Sequence, residues 1–158
     1  MMTIYCACFS FLVLVLYLTS MAVGYGVQAS VSDNYYVSRN RWTFMAVMWM
    51  VAFTMLPAMF SITPDERKFA AFLICGGLVF VGAAAAFRED LTKQVHYFGA
   101  ILSAICALIW LAVQVPIPIF VTLLTLLAIV SIIERKLYWS EVMLFLYVYA
   151  TYFYRVLL

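Results

Sequence analysis

The chain has 158 residues, of which 68% are hydrophobic and only 10% charged, with a formal net charge of +2 and a mean hydropathy of +1.09. A soluble globule of this size is excluded, because too little polar surface would remain to cover its core. Nucleic acid is excluded as a partner, since the small positive excess is scattered over several short clusters.

Long apolar runs follow one another along the chain, and a bilayer core needs roughly 20 mostly apolar residues per helix. The pattern predicts an all-α polytopic membrane protein. It is read as one domain over 1–158, with six transmembrane helices in one bundle at about 4–27, 43–61, 69–87, 96–113, 117–133 and 140–158. The first run has no positively charged start, and at about 24 residues it exceeds the core of a signal peptide. It therefore reads as a retained first helix, despite the cleavage-like Val27-Gln28-Ala29. The connection 29–42 is the only long one. The next, 62–68, contains Thr63-Pro64-Asp65, a helix stop followed by a capping-type start.

The third run is rich in small residues, and Gly82 with Ala86 forms a small-xxx-small pair that lets helices approach closely. This helix is expected at the centre of the bundle. Pro116 and Pro118 break the stretch 96–133, which as a single helix would span roughly 57 Å; a tight hairpin is expected there. The last run carries Phe145, Tyr147, Tyr149, Tyr152, Phe153 and Tyr154, and is expected at the periphery with tyrosines at the interface. Cys6, Cys8, Cys75 and Cys106 all lie in apolar runs, where they are expected to act as small hydrophobes without disulfides.

No ionisable side chain occupies the middle third of any expected span, which counts against ion-coupled transport. No glycine-rich phosphate loop is present. With six spans, the first, third and fifth connections share one membrane face. That face gathers Ser30, Ser32, Asp33, Asn34, Tyr35, Tyr36, Arg39 and Arg41, then Arg88, Glu89, Asp90, Lys93, Gln94 and His96, then Glu134, Arg135, Lys136 and Glu141. The opposite face holds Asp65, Glu66, Arg67, Lys68 and Arg155. Of the nine lysines and arginines, the larger share falls on the first face, so the charge count places the odd connections in the cytoplasm. A bacterial inner membrane is the expected location.

The binding candidates are Ser30, Ser32, Asp33, Tyr35, Tyr36, Arg39, Arg88, Glu89, Asp90 and His96. The run 30–36 reads either as an interfacial loop, with Asp33 or Asn34 capping a short helix, or as a binding element. If helical, Arg88-Glu89-Asp90-x-x-Lys93-x-x-His96 places Glu89 and Lys93 at i,i+4, which fits a solvated, ion-paired helix entry. The sharper reading makes His96, the only histidine, an acid–base partner of Asp33 or Asp90. No ligand pair has diagnostic metal spacing, so no metal and no cofactor are expected.

The expected function is a non-catalytic membrane component that binds a partner or a lipid through the odd-connection face. Its partners would be the lipid bilayer and a membrane protein or a second copy of the chain. One alternative is a membrane-embedded hydrolase-like enzyme with a His96/Asp site at the headgroup level. Another is a facilitator passing a small neutral solute along Thr43, Thr54, Ser61, Ser103, Thr122 or Thr125.

Ser30, Ser32, Asp33, Tyr35 and Tyr36 come directly after the first span. Arg88-Glu89-Asp90 and His96-Tyr97-Phe98-Gly99-Ala100 then open the fourth. This order resembles a group of small six-helix bacterial membrane proteins of unknown function, distantly similar to the DRAM/Frag-like membrane family. The resemblance implies that the loop after the first span faces outward, opposite to the charge count, and it brings no activity. A likeness to seven-helix hydrolases that hold zinc with Ser, Asp and several His fails, because this chain has one histidine.

Overall fold

Apolar sequence of this density leaves the backbone few ways to satisfy its own polar groups away from water, and helices do so within each segment. In the computed structural model, residues 1–40, 42–85 and 90–157 are described, with side chains outside 84–93. The described residues are almost wholly helical and include no strand. The helices are α1 (Met2–Tyr25), α2 (Asn34–Val37), α3 (Trp42–Ile62), α4 (Lys68–Ala85), α5 (Asp90–Gln114), α6 (Ile117–Val130) and α7 (Lys136–Leu157), with a 3-10 turn at Asp65–Arg67. Met2–Tyr25, Trp42–Ile62 and Gln94–Gln114 are each long and apolar enough to cross a membrane. This is a helical membrane protein.

Glycine at position 26 ends α1, with φ at 76° and its N–H donated to the Ala22 carbonyl, a backbone state that a side chain would strain. The chain then packs sequentially: α1 on α3, α3 on α4, and α4 most extensively on α5. Helix α7 crosses back against α5 and α3. Outward-facing apolar residues such as Ile101, Ile105 and Ile109 recur every four residues along α5 and remain exposed. That stripe suits contact with lipid.

Small residues set the spacing of the centre. An added Cβ at Gly82 would lie 3.1 Å from Met48 Cβ and from Trp49 Cδ1 on α3, and the Trp49 indole donates to the Val79 carbonyl at 3.1 Å. Ala86, the expected partner of Gly82, lies outside the described residues. The closest approach is elsewhere. A Cβ on Gly77 would meet the Gly99 carbonyl oxygen and Ser103 Cβ at 2.7 Å, so these three residues hold α4 and α5 in near backbone contact.

Two expectations need correction. Helix α7 is not peripheral on its aromatic side: Tyr138, Val148, Tyr149 and Tyr152 are buried. Val148, Tyr149 and Tyr152 lie on one face of the helix, in line with Tyr138 through the 138–141–145–148–152 spacing, and Phe11 of α1 meets Tyr149 edge-on at 5.1 Å. Trp139, Leu146 and Tyr154 point outward on the other side of the helix. The second correction concerns α6. The helix break at Pro116 is present, but α6 scarcely touches α5 and leans on α7 instead. It also ends at Val130, short of the expected 133, and its 14 residues rise about 21 Å.

Candidate functional site

The long first connection folds inward over one end of the bundle. It is built as a turn followed by the short helix α2. Asp33 N–H donates to Ser30 Oγ at 3.1 Å, while Ser30 N–H donates to Asp33 Oδ2 at 3.0 Å. This reciprocal pair closes the turn that leads into α2, whose N-cap position is Asp33. Ser30 Oγ also lies 3.0 Å from Ser32 Oγ.

The loop is pinned to the start of α7. Tyr138 N–H, one of the donors that a helix N-terminus leaves without an internal partner, donates to the Ala29 carbonyl at 3.1 Å. One turn on, Glu141 Oε2 accepts the Val31 N–H at 2.6 Å. Beneath the loop, Tyr35 packs edge-on against Phe44 at 6.3 Å and against Tyr36 at 5.2 Å. Asn34 is buried, and neither of its amide atoms has a hydrogen-bond partner among the described residues.

His96, on the first turns of α5, donates Nδ1–H to the Val81 carbonyl of α4 at 3.2 Å. A carbonyl can only accept, so in the neutral ring Nε2 is left as an acceptor. The negative charge of Asp33 reaches both His96 and Glu141. Ser32, His96 and Glu141 line one end of a partly open cavity of about 90 Å³. From there the cavity continues past Phe44, Met48, Met55 and Met59 of α3, positions that span about 22 Å of helix axis. The remaining lining is nearly all apolar, from α4, α5 and α7.

Of the sequence candidates, Ser30, Ser32, Asp33 and Tyr35 cluster around this mouth with His96. Tyr36 and Arg39 are exposed on the outer side of the loop; Arg39 N–H donates to Tyr25 Oη at 3.3 Å. Arg88, Glu89 and the side chain of Asp90 lie outside the described residues, as does Arg41. Among the described residues His96 has no hydrogen bond to a carboxylate, and no three His, Cys, Asp or Glu side chains come together as a metal ion would need.

Of the hydroxyls named for a solute path, Thr54, Ser61, Thr122 and Thr125 bond to carbonyls of their own helices. Ser103 reaches across to the Ile74 carbonyl and alone of that set lines the cavity. Sequence reasoning noted Glu141 as a loop-face charge without assigning it to the site. The available signal was its place on the stripe shared with Tyr138, Phe145, Val148 and Tyr152, which turns it inward.

The comparisons bring no relative to this geometry: no family model, no curated protein and no solved structure matches the chain.

Proposed function

We propose that this chain is a multi-pass protein crossing the bilayer six times as one bundle, and that it is a non-catalytic component holding an amphipathic molecule of the membrane. The loop after α1 and the starts of α5 and α7 would then lie at the headgroup level. The observation that carries this reading is the cavity itself, with three polar groups at its mouth and an apolar channel behind them. An apolar cavity with a few convergent polar groups is the form that small-molecule sites take. The apolar outer stripe of α5 supports immersion in lipid. For α6, at about 21 Å against a core of about 30 Å, spanning requires the bilayer to thin or the flanking residues to reach outward.

By the charge count the odd connections face the cytoplasm of a bacterial inner membrane. The resemblance to small six-helix proteins gives the reverse. Reporter fusions in each connection decide both count and orientation, and an odd number of spans sinks the topology. For function, the protein is extracted in mild detergent and its retained lipid is measured by mass spectrometry. A defined amphiphile held at near one per chain is expected. A retained mixture indistinguishable from bulk membrane lipid would sink the reading.

The enzyme alternative rests on His96 and Glu141 lining one cavity. It requires turnover of an ester or amide amphiphile that is abolished in His96→Gln, with binding retained.

A further inference from the structure

The polar end of the cavity is rich in acceptors and poor in donors. Glu141 presents a carboxylate, which when ionised only accepts, and Val31 N–H occupies one of its oxygens. His96 spends its Nδ1–H on the Val81 carbonyl, leaving Nε2 as an acceptor in the neutral ring. Ser32 Oγ contributes a hydroxyl at the same end. Asp33 adds a second negative charge nearby. Among the described residues no lysine or arginine lines the cavity. A half-buried carboxylate without a cationic partner among the described residues is costly, and a ligand that brings a positive charge and N–H donors offsets that cost.

A phosphate or carboxylate headgroup would meet acceptors where it needs donors. An ammonium carries three donors and no acceptor, which fits Glu141, Ser32 and His96 together. The channel behind is long and narrow: about 90 Å³ drawn out along about 22 Å of α3. At this volume, below that of a cavity which takes benzene, it admits the first carbons of one alkyl chain. The rest of the chain would widen it or leave through its open side.

We infer that the cavity binds a single-chain amphiphile with a protonated amine headgroup, its ammonium against Glu141 and its chain along Met48, Met55 and Met59. This rests on the amphiphile-binding reading above and names the ligand class.

The test uses the full chain in detergent micelles, with dodecylamine, dodecanol and dodecanoate compared by native mass spectrometry and by ligand-induced thermal shift. Dodecylamine is expected to bind roughly tenfold or more tightly than the other two, the scale of a charge-assisted hydrogen bond. Glu141→Gln is expected to abolish the amine preference, bringing dodecylamine down to the level of dodecanol. Ala104→Leu, which fills the apolar part of the channel, is expected to weaken all three.

Equal binding of the three amphiphiles, or an amine preference that survives Glu141→Gln, would overturn the inference and leave amphiphile binding standing. Failure of all three to bind the wild-type chain would overturn both. Should Glu141→Gln not fold, the wild-type ranking decides alone.

Discussion

The two ends of the bundle use their polar groups in opposite ways. At the end formed by Thr63 and the C-terminal turns of α5, neutral groups close on one another. Trp110 Nε1 donates to Thr63 Oγ1 at 2.9 Å, and Thr63 Oγ1 donates to the Met59 carbonyl at 2.6 Å. Gln114 Nε2 approaches the same hydroxyl at 3.4 Å and the Ile62 carbonyl at 3.5 Å. At the other end, the loop after α1 spends its side chains on closing its own turn and leaves Glu141, His96 and Ser32 facing a cavity. Neutral donors and acceptors can satisfy each other completely, which rigidifies. A carboxylate facing a cavity without a cation is left with capacity for a ligand. One end is a clasp and the other is a mouth.

That contrast requires α4 and α5 to be locked between the two ends, and the largest expected effect comes from unlocking them. Gly77→Leu drives side-chain atoms into the Gly99 carbonyl and Ser103, where even a Cβ would sit at 2.7 Å. Overpacking typically costs about 1–3 kcal/mol, and here the nearest neighbour is backbone that cannot move aside alone. Loss of monodisperse protein, or a large fall in thermal midpoint, is expected on fluorescence-detected size exclusion. Gly76→Leu, where nothing lies within 4 Å of the added Cβ, should be tolerated. Equal damage at the two positions would refute the close-approach account.

Next in size is the clasp. Thr63→Val keeps the shape and removes the hydroxyl, leaving the Trp110 indole N–H without its acceptor. An orphaned buried donor costs about 1–3 kcal/mol. A lower thermal midpoint is expected with unchanged amphiphile binding, since Thr63 and the cavity mouth lie at opposite ends. A loss of binding as large as the loss of stability would show that the ends are coupled, and the comparison would fail.

How much of this was legible in the chain follows from which forces act locally. Apolar runs and helix breakers act on neighbouring residues, so the helices, the break at Pro116 and a turn or capping place for Asp33 could be read directly. The inward face of α7 was also present as the 138–141–145–148–152 spacing, but aromatic content alone suggested an interface belt and hid it. Tyr149 is buried because Ser10 of α1 takes its hydroxyl at 2.6 Å. Ser10 uses its own proton on the Val51 carbonyl, so Tyr149 is the donor. No local rule pairs residues so far apart in sequence. The same holds for Gly77 against Gly99, and for Val31 N–H on Glu141. The meeting of Ser32 with His96 and Glu141 around one cavity depends on packing across four helices.

A smaller effect is expected at the loop over the mouth. Ser30→Ala removes one half of the reciprocal pair that closes the turn before α2, and loss of such a hydrogen bond costs about 1 kcal/mol. Because the Ala29 and Val31 backbone bonds to α7 remain, the loop should loosen rather than detach. The expected outcome is faster amide exchange over 30–37 and faster ligand release, with a small change in thermal midpoint. Unchanged exchange would show that the backbone bonds hold the loop without the pair.

The smallest effect belongs to the one ion pair among the described residues, Lys68 with Asp65. Hydrogen bonding to Lys68, and then its charge, hold the Asp65 carboxyl below its ordinary value. A carboxyl with a depressed folded-state value contributes stability that is fully present above the unfolded value and is lost as pH falls through the depressed one. The sign therefore favours the folded chain at neutral pH. The size does not follow from the sign, because Asp65 is fully exposed and water screens the pair. Asp65→Asn is expected to leave the thermal midpoint at neutral pH unchanged within error, and raising salt should change it as little in the variant as in the wild type. A fall comparable to that of Ser30→Ala would mean that the turn at 65–67 depends on the pair, and the clasp end would then hold a charge as important as the one at the mouth.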